Sequence, residues 1–344
     1  MEQEGRNIVI LFDGTGNEPG ENKTNVIKIA ELLKKPEQNK KPEQIIFYDT
    51  GVGTLNNIGT LLRSLRYKIG QVVGKAFGYG LKKNILDGYK FLMQHYKPQD
   101  RLYIFGFSRG AFTARKFTDL VAKYGVLNKG NENLFPQLLK AYFSKQPPDD
   151  FWLNLSHPCI PYFIGVWDTV ASMGYFSGKK FFNNKLNKKI KFACHAISID
   201  EKRKHFPVRL WSESNLSDKQ KVFQVYFPGV HSDVGGWYKE DGLSDITLKW
   251  MLQNAKHAGL SLRKDWEEKI QPEPNGTLHN SKTFFWLWAE LLDFRKWNKS
   301  ARRVIPKKSK VHQSVEDRLN YNPENLDIEQ AQFGEHIFRD SNAE

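Results

Sequence analysis

At 344 residues, with 40% hydrophobic and 13% aromatic side chains, the chain can bury a sizeable core, in one large α/β domain or two ordinary ones, which sets disorder aside for most of its length. Lys and Arg outnumber Asp and Glu 52 to 38, a formal charge of +14, and such an excess favours anionic partners such as nucleic acid, lipid headgroups or a negatively charged substrate. Two cysteines, Cys159 and Cys194, are too few and too isolated for a disulfide scaffold, so a reducing compartment is expected.

From the N-terminus, "NIVILF" (7–12), "QIIFYD" (44–49), "RLYIFGF" (101–107), "PYFIGVW" (161–167), "KFACHAIS" (191–198) and "VFQVYFPGV" (222–230) read as strands. Several are apolar on both faces, as parallel strands covered by helices on each side must be. Helical patterns fall between them at about 25–34, 81–96, 110–124 and 244–257. The alternation predicts a doubly wound, mostly parallel sheet in a single domain over 1–344, α/β-hydrolase-like with helical cap insertions. Residues 55–80 form a basic, Gly-rich insertion with Arg63, Arg66, Lys68 and Lys75. Residues 259–310 form an aromatic and basic one, containing "TFFWLWAELLDFRKW" and the run Arg302 to Lys310. Phe284, Phe285, Trp286 and Trp288 beside Arg295 and Lys296 suit an interfacial helix, although a cap packed on the sheet is the preferred reading. The acidic start "MEQEGRN" and the short apolar run behind it do not make a signal peptide, and no run nears the ~18 apolar residues of a membrane span. A cytoplasmic location is therefore expected, with export by a signal-independent route left open.

The stretch "YIFGFSRGAFTAR" (103–115) places Gly-x-Ser-x-Gly between a buried strand and an amphipathic helix. That is the context of a nucleophile elbow, in which a serine sits on a strained strand-to-helix turn. Gly106 and Gly110 leave room for such a turn, and Ser108 falls at the helix N-terminus, where the dipole favours developing negative charge. A serine nucleophile needs a histidine base and an acid that orients it. "YFIGVW" runs into Asp168 and "QVYFPGV" into His231, both at strand carboxyl ends and in the chain order serine, acid, histidine of α/β-hydrolases. Asp200, after "CHAISI", is the alternative acid. His195 reads as a packed strand residue, while His205 and His312 are weaker candidates for the base. The backbone N–H of Arg109, directly after the nucleophile, supplies one oxyanion donor, and the loop after the first strand supplies the other, from Asp13 or Gly14. Asp13 itself reads as a loop-fixing side chain. No organic cofactor or metal is called for.

Competing readings divide on particular residues. "FDGTG" resembles part of a haloacid dehalogenase-type motif, but Leu11 stands where that chemistry needs its nucleophilic aspartate. A metal-dependent phosphodiesterase built on Asp13, Asp168, His231 and Asp233 has suitable hard ligands and leaves the elbow unexplained. A non-catalytic basic binding module is the third reading. It has no zinc spacing, Walker motif or RNA-binding signature behind it, so no specific nucleic-acid partner is expected.

Taken in order, "IVILFDGTGN", "KTNVIKI", "FYDTGVGT", "IFGFSRGAFTAR", "GVWDTV", "HAISIDEKR", "FPGVHSDVGGWY", "LSDITLKWM" and "VHQSVEDRLNYNPENL" resemble the motifs of one group of proteins. It is the α/β-hydrolase-like family of once-unknown function that includes phospholipase effectors of bacterial type VI secretion. The resemblance runs from about residue 6 to residue 327. It implies ester hydrolysis of glycerophospholipids by a Ser-Asp-His triad, which falls by motif on Ser108, Asp168 and His231. A lipid or other ester substrate and peripheral contact with an anionic membrane surface go with it. A secreted effector and an intracellular lipase or esterase remain equally open.

Overall fold

The computed structural model describes residues 5–14, 22–35, 44–51, 69–170, 184–203, 206–281 and 302–338. Along the chain run β1 (Asn7–Phe12), α1 (Asn25–Leu32), β2 (Gln44–Asp49), α2 (Ile69–His95), β3 (Arg101–Phe107) and α3 (Arg109–Tyr124). There follow β4 (Val126–Leu127), α4 (Phe135–Phe143), α5 (Asp150–Asn154), β5 (Ser156–His157), β6 (Phe163–Trp167) and β7 (Phe192–Ser198). The series closes with β8 (Lys221–Phe227), α6 (His231–Gly235), α7 (Gly242–His257), β9 (Lys310–His312) and β10 (Gln332–Gly334).

Eight of the described strands form one sheet in the order β10-β9-β8-β7-β6-β3-β1-β2, and each neighbouring pair in it is parallel. The fold is thus the doubly wound α/β sheet expected from the sequence. β1 and β3 show why their runs are apolar throughout. Ile8, Ile10, Phe12, Leu102 and Ile104 face one layer, with Tyr89 of α2, Phe117 of α3 and Leu138 of α4. Val9, Leu11, Tyr103 and Phe105 face the other, with Ile29 of α1 and Trp250 and Met251 of α7. Each fully buried side chain of this size contributes about 1.5–3 kcal/mol. The chain leaves β1 for β2 on one side and returns to β3 on the other, so the winding reverses between β1 and β3. In open α/β sheets the crevice beyond the strands' carboxyl ends at such a point is where ligands bind.

Some elements differ from the sequence reading. Residues 69–80, the second half of the expected Gly-rich insertion, are the opening turns of α2; residues 52–68 lie outside the described residues. So do 282–301, which hold the expected aromatic helix with Phe284, Phe285, Trp286, Trp288, Arg295 and Lys296. The strand expected to reach residue 230 stops at Phe227. Pro228 has no N–H for the ladder, and Gly229 turns the chain at φ 111°. β9 and β10, three residues each, are too short to show a period. Cys159 and Cys194 are buried free thiols. Among the described residues, no helix is long and apolar enough to cross a membrane.

Candidate active site

β3 delivers Ser108 to the carboxyl end of the sheet, and α3 begins at the next residue. Ser108 adopts φ 58°, ψ −118°, a region that costs a residue with a side chain about 1–3 kcal/mol and persists only where the surroundings impose it. Two glycines impose it here. A Cβ on Gly106 would lie 2.5 Å from the Gly110 carbonyl oxygen, and one on Gly110 would lie 2.2 Å from that of Phe12. Strand, helix and the end of β1 therefore meet at backbone contact. The Ser108 N–H is fixed by donating to the Trp167 carbonyl at 3.1 Å, which ties the elbow to the strand carrying Asp168.

Ser108 Oγ lies 2.8 Å from His231 Nε2, and His231 Nδ1 lies 2.5 Å from Asp168 Oδ2. These contacts bridge sequence separations of 123 and 63 residues. His231 opens α6 instead of closing β8. The intervening turn is held by the Gly229 N–H on Asp200 Oδ2 at 2.7 Å and the Val230 N–H on Asp233 Oδ2 at 2.9 Å. The imidazole stands between the rings of Phe107 (4.7 Å between centroids) and Phe206 (5.3 Å). It is only 5% exposed. Burial lowers its pKa below the ordinary value, against the opposing pull of Asp168, so the ring stands neutral, as an acceptor of a proton must.

Asp168 has no exposed surface and remains charged by virtue of its partners. Its Oδ1 accepts from the Ser198 N–H at 3.1 Å and the Ser198 hydroxyl at 3.2 Å. Arg303 forks across both oxygens, Nη1 to Oδ1 and Nη2 to Oδ2 at 2.9 Å. The same guanidinium bonds the Ser198 carbonyl and hydroxyl and the Phe206 carbonyl. Burial pushes the Asp168 carboxyl up, but Arg303 and His231 together outweigh it and hold it well below the usual carboxylate range. Glu201 supports the His231 backbone. Its Oε2 accepts the His231 N–H at 3.3 Å, while Arg203 pairs with both its oxygens at 2.8 and 2.7 Å.

The other sequence candidates go elsewhere. Asp200 accepts from the Gly229 N–H and the Tyr321 hydroxyl, the latter at 2.7 Å. His195 is a core residue accepting from the Thr169 N–H at 3.1 Å, and burial lowers its pKa to about 3. His312 pairs with Ser314 and Glu335, and His205 lies outside the described residues. The four metal ligands of the phosphodiesterase reading do not converge. Asp13 bonds Thr24 at 2.5 Å and Tyr48 at 3.0 Å, and Asp233 bonds His279 at 2.6 Å. Among the described residues, no three His, Cys, Asp or Glu side chains are grouped to hold a metal ion. In the β1 loop, the Asp13 N–H donates to Asp49 O at 3.0 Å and the Gly14 N–H to Asp13 Oδ1 at 2.6 Å. Arg303, Ser198 and Glu201 were invisible to the sequence reading. Arg303 looked like one cation in a basic run, since its partner stands 135 residues earlier.

Among known proteins, one family model matches most of the chain. The sequence model described as type VI secretion system, phospholipase effector Tle1-like, catalytic domain, matches residues 6–254. An uncharacterized protein of Saccharomyces cerevisiae, YEL023C, is 30% identical over 221 residues, which are 59% of this chain and 32% of that protein. The crystal structure of an uncharacterized protein from Pseudomonas aeruginosa aligns with 79% of this chain and 49% of its own, at TM-score 0.48 and 20% identity. The chain thus spans about a third of the yeast protein's length and about half of the bacterial one's.

Proposed function

The chain belongs to the Tle1-like phospholipase effector catalytic-domain family, and from that premise we propose that it is a serine-dependent carboxylic ester hydrolase acting on a phospholipid or related lipid ester. The observation that carries this reading is the unbroken hydrogen-bonded chain Ser108–His231–Asp168 at the reversal point of the sheet.

Ser108 Oγ attacks the acyl carbonyl while its proton passes to His231 Nε2, 2.8 Å away. The imidazolium so formed is stabilised through Nδ1 by Asp168. His231 returns the proton to the departing alcohol, leaving an acyl-enzyme. Water then repeats the cycle, giving its proton to His231 and releasing the fatty acid and free Ser108. The tetrahedral oxyanion is met by the Arg109 N–H and by the β1 loop. Of the two loop candidates, Asp13 has its N–H committed to the β2 backbone, whereas Gly14 donates to the neighbouring side chain and turns to the oxyanion by releasing it. One such donor is typically worth ~3 kcal/mol of barrier.

A fluorophosphonate probe tests the reading directly. It should label the wild-type protein and spare Ser108→Ala; labelling that survives the substitution would overturn the assignment. A panel of phospholipids and simple esters, with mass spectrometry of the products and Ser108→Ala as the blank, then names the substrate. Chelation with EDTA should leave turnover intact, and its abolition would return the metal-dependent reading.

A further inference from the structure

Arg303 and Arg203 serve the triad, and another part of the chain's basic excess is gathered elsewhere. On the α3 side of the sheet a small cleft lies between Phe112, Arg115, Lys116 and Asp119 of α3 and a facing wall that includes Arg209 and Trp211. Arg115 follows Ser108 by seven residues, so at 1.5 Å per residue the cleft is roughly 10 Å along α3 from the nucleophile. None of Ser108, Asp168 and His231 lines it.

Two of the cations in it, Arg115 and Lys116, are withdrawn from water. The Arg115 guanidinium lies 4.8 Å from the Trp211 ring centroid and donates to the Arg209 carbonyl. No carboxylate among the described residues pairs with it. Removal from water and the neighbouring Arg209 lower its pKa to about 9. Lys116 lies 5.6 Å from the Phe112 ring centroid. Burial lowers it to about 8; Asp119 opposes that, while Arg115, Lys123 and Lys145 add to it. Asp119 already accepts from Lys123 at 2.9 Å and from the Tyr142 hydroxyl at 3.0 Å. His195, whose ring centroid is 5.5 Å from that of Trp211, is held neutral. A cation withdrawn from water without a counter-charge, as Arg115 is, is costly, and an anion that takes hydrogen bonds from it removes the cost.

We propose that this cleft is an anion site that takes a phosphoryl group, either as free phosphate or on a lipid headgroup, with Arg115 presenting its planar fork and Lys116 a point charge. The site adjoins the triad's own support. The Arg209 N–H donates to the Thr169 carbonyl at 3.0 Å, and Thr169 directly follows Asp168.

The test uses the full chain carrying Ser108→Ala, so that binding is read without turnover and its failure leaves the hydrolase reading untouched. Inorganic phosphate is titrated by calorimetry against a chloride control of equal ionic strength. In parallel, phosphatidylcholine vesicles with and without phosphatidic acid are tested by sedimentation. Saturable phosphate binding that Arg115→Gln and Lys116→Gln each weaken about tenfold supports the site. Vesicles that need phosphatidic acid, and lose hold in the same variants, identify a lipid headgroup as the source; phosphate binding without such vesicle binding identifies free phosphate. Lys116→Gln, on the partly exposed rim, carries the test alone should Arg115→Gln fail to fold. Absence of both bindings, or binding unchanged in the variants that fold, overturns the proposal.

Discussion

At Asp168, a carboxylate with no exposed surface keeps its charge because Arg303 meets both of its oxygens. Removing one member of a buried pair leaves the other uncompensated, at a cost of about 3 kcal/mol or more. Arg303→Gln should therefore lower the denaturation midpoint, and it should also change the chemistry. Loss of the positive charge makes the Asp168–His231 pair easier to protonate, so the acid limb of the kcat/KM profile should move to higher pH. In the wild type that limb should lie below the ordinary histidine range, because burial already holds His231 down. A variant that is merely less stable would keep the limb in place. The linkage has a definite sign. Asp168 is depressed in the folded state, so its contribution to stability is present above the unfolded carboxylate pKa of about 4 and is lost as the pH falls below it. Urea unfolding between pH 3 and 7 reads this directly. Ser108, Asp168 and His231 were visible in the sequence because each stands just beyond an apolar run. Arg303 was not, because a partner 135 residues away leaves no mark on its neighbours.

The strand–turn–helix unit around Ser108 works as a spacer of fixed dimensions. A Cβ on Gly110 would lie 2.2 Å from Phe12 O and 2.5 Å from Asp13 O, so Gly110→Ala must drive α3 and the β1 loop apart by about an ångström. Displacements of that size in positioning elements can cost about 10²-fold in rate. The expected outcome is a fall in kcat of that order, with KM and circular dichroism little changed. Elements of this length were legible, since the 16 residues of α3 show a helical period and the 7 of β3 form a continuous apolar run between turns. The tight turn after β8 was read as strand because Val230 fits either state locally. What ends the strand is Pro228, together with the bonds that Asp200 and Asp233 make to the turn.

Across the whole molecule, α7 backs the sheet directly at β6. A Cβ on Gly165 would meet Met251 Sδ at 2.6 Å and the Phe105 ring at 2.7 Å. Gly165→Ala should thus overpack this layer and cost about 1–3 kcal/mol, visible as a lower midpoint in chemical denaturation. Fluorophosphonate labelling of the surviving native fraction should be unaffected, since this contact is one face away from the elbow. The layer arrangement could be foreseen from runs apolar on both faces, which demand cover on both. The order of the strands could not, because pairing partners such as β6 and β7 are joined by a connection that propensity alone does not direct.

The dependence of Asp168 on Arg303 also sets a clock. During synthesis His231 is made 72 residues before Arg303, which at 5–20 residues per second is an interval of roughly 4–14 s. Throughout it, Ser108, Asp168 and His231 are all present while the countercharge that holds Asp168 is missing. Ribosome-bound chains stalled before residue 303 should take up little fluorophosphonate, and chains released past it should label readily. On the proposed function, a centre assembled in this order gains its activity only after the chain carrying it is nearly complete.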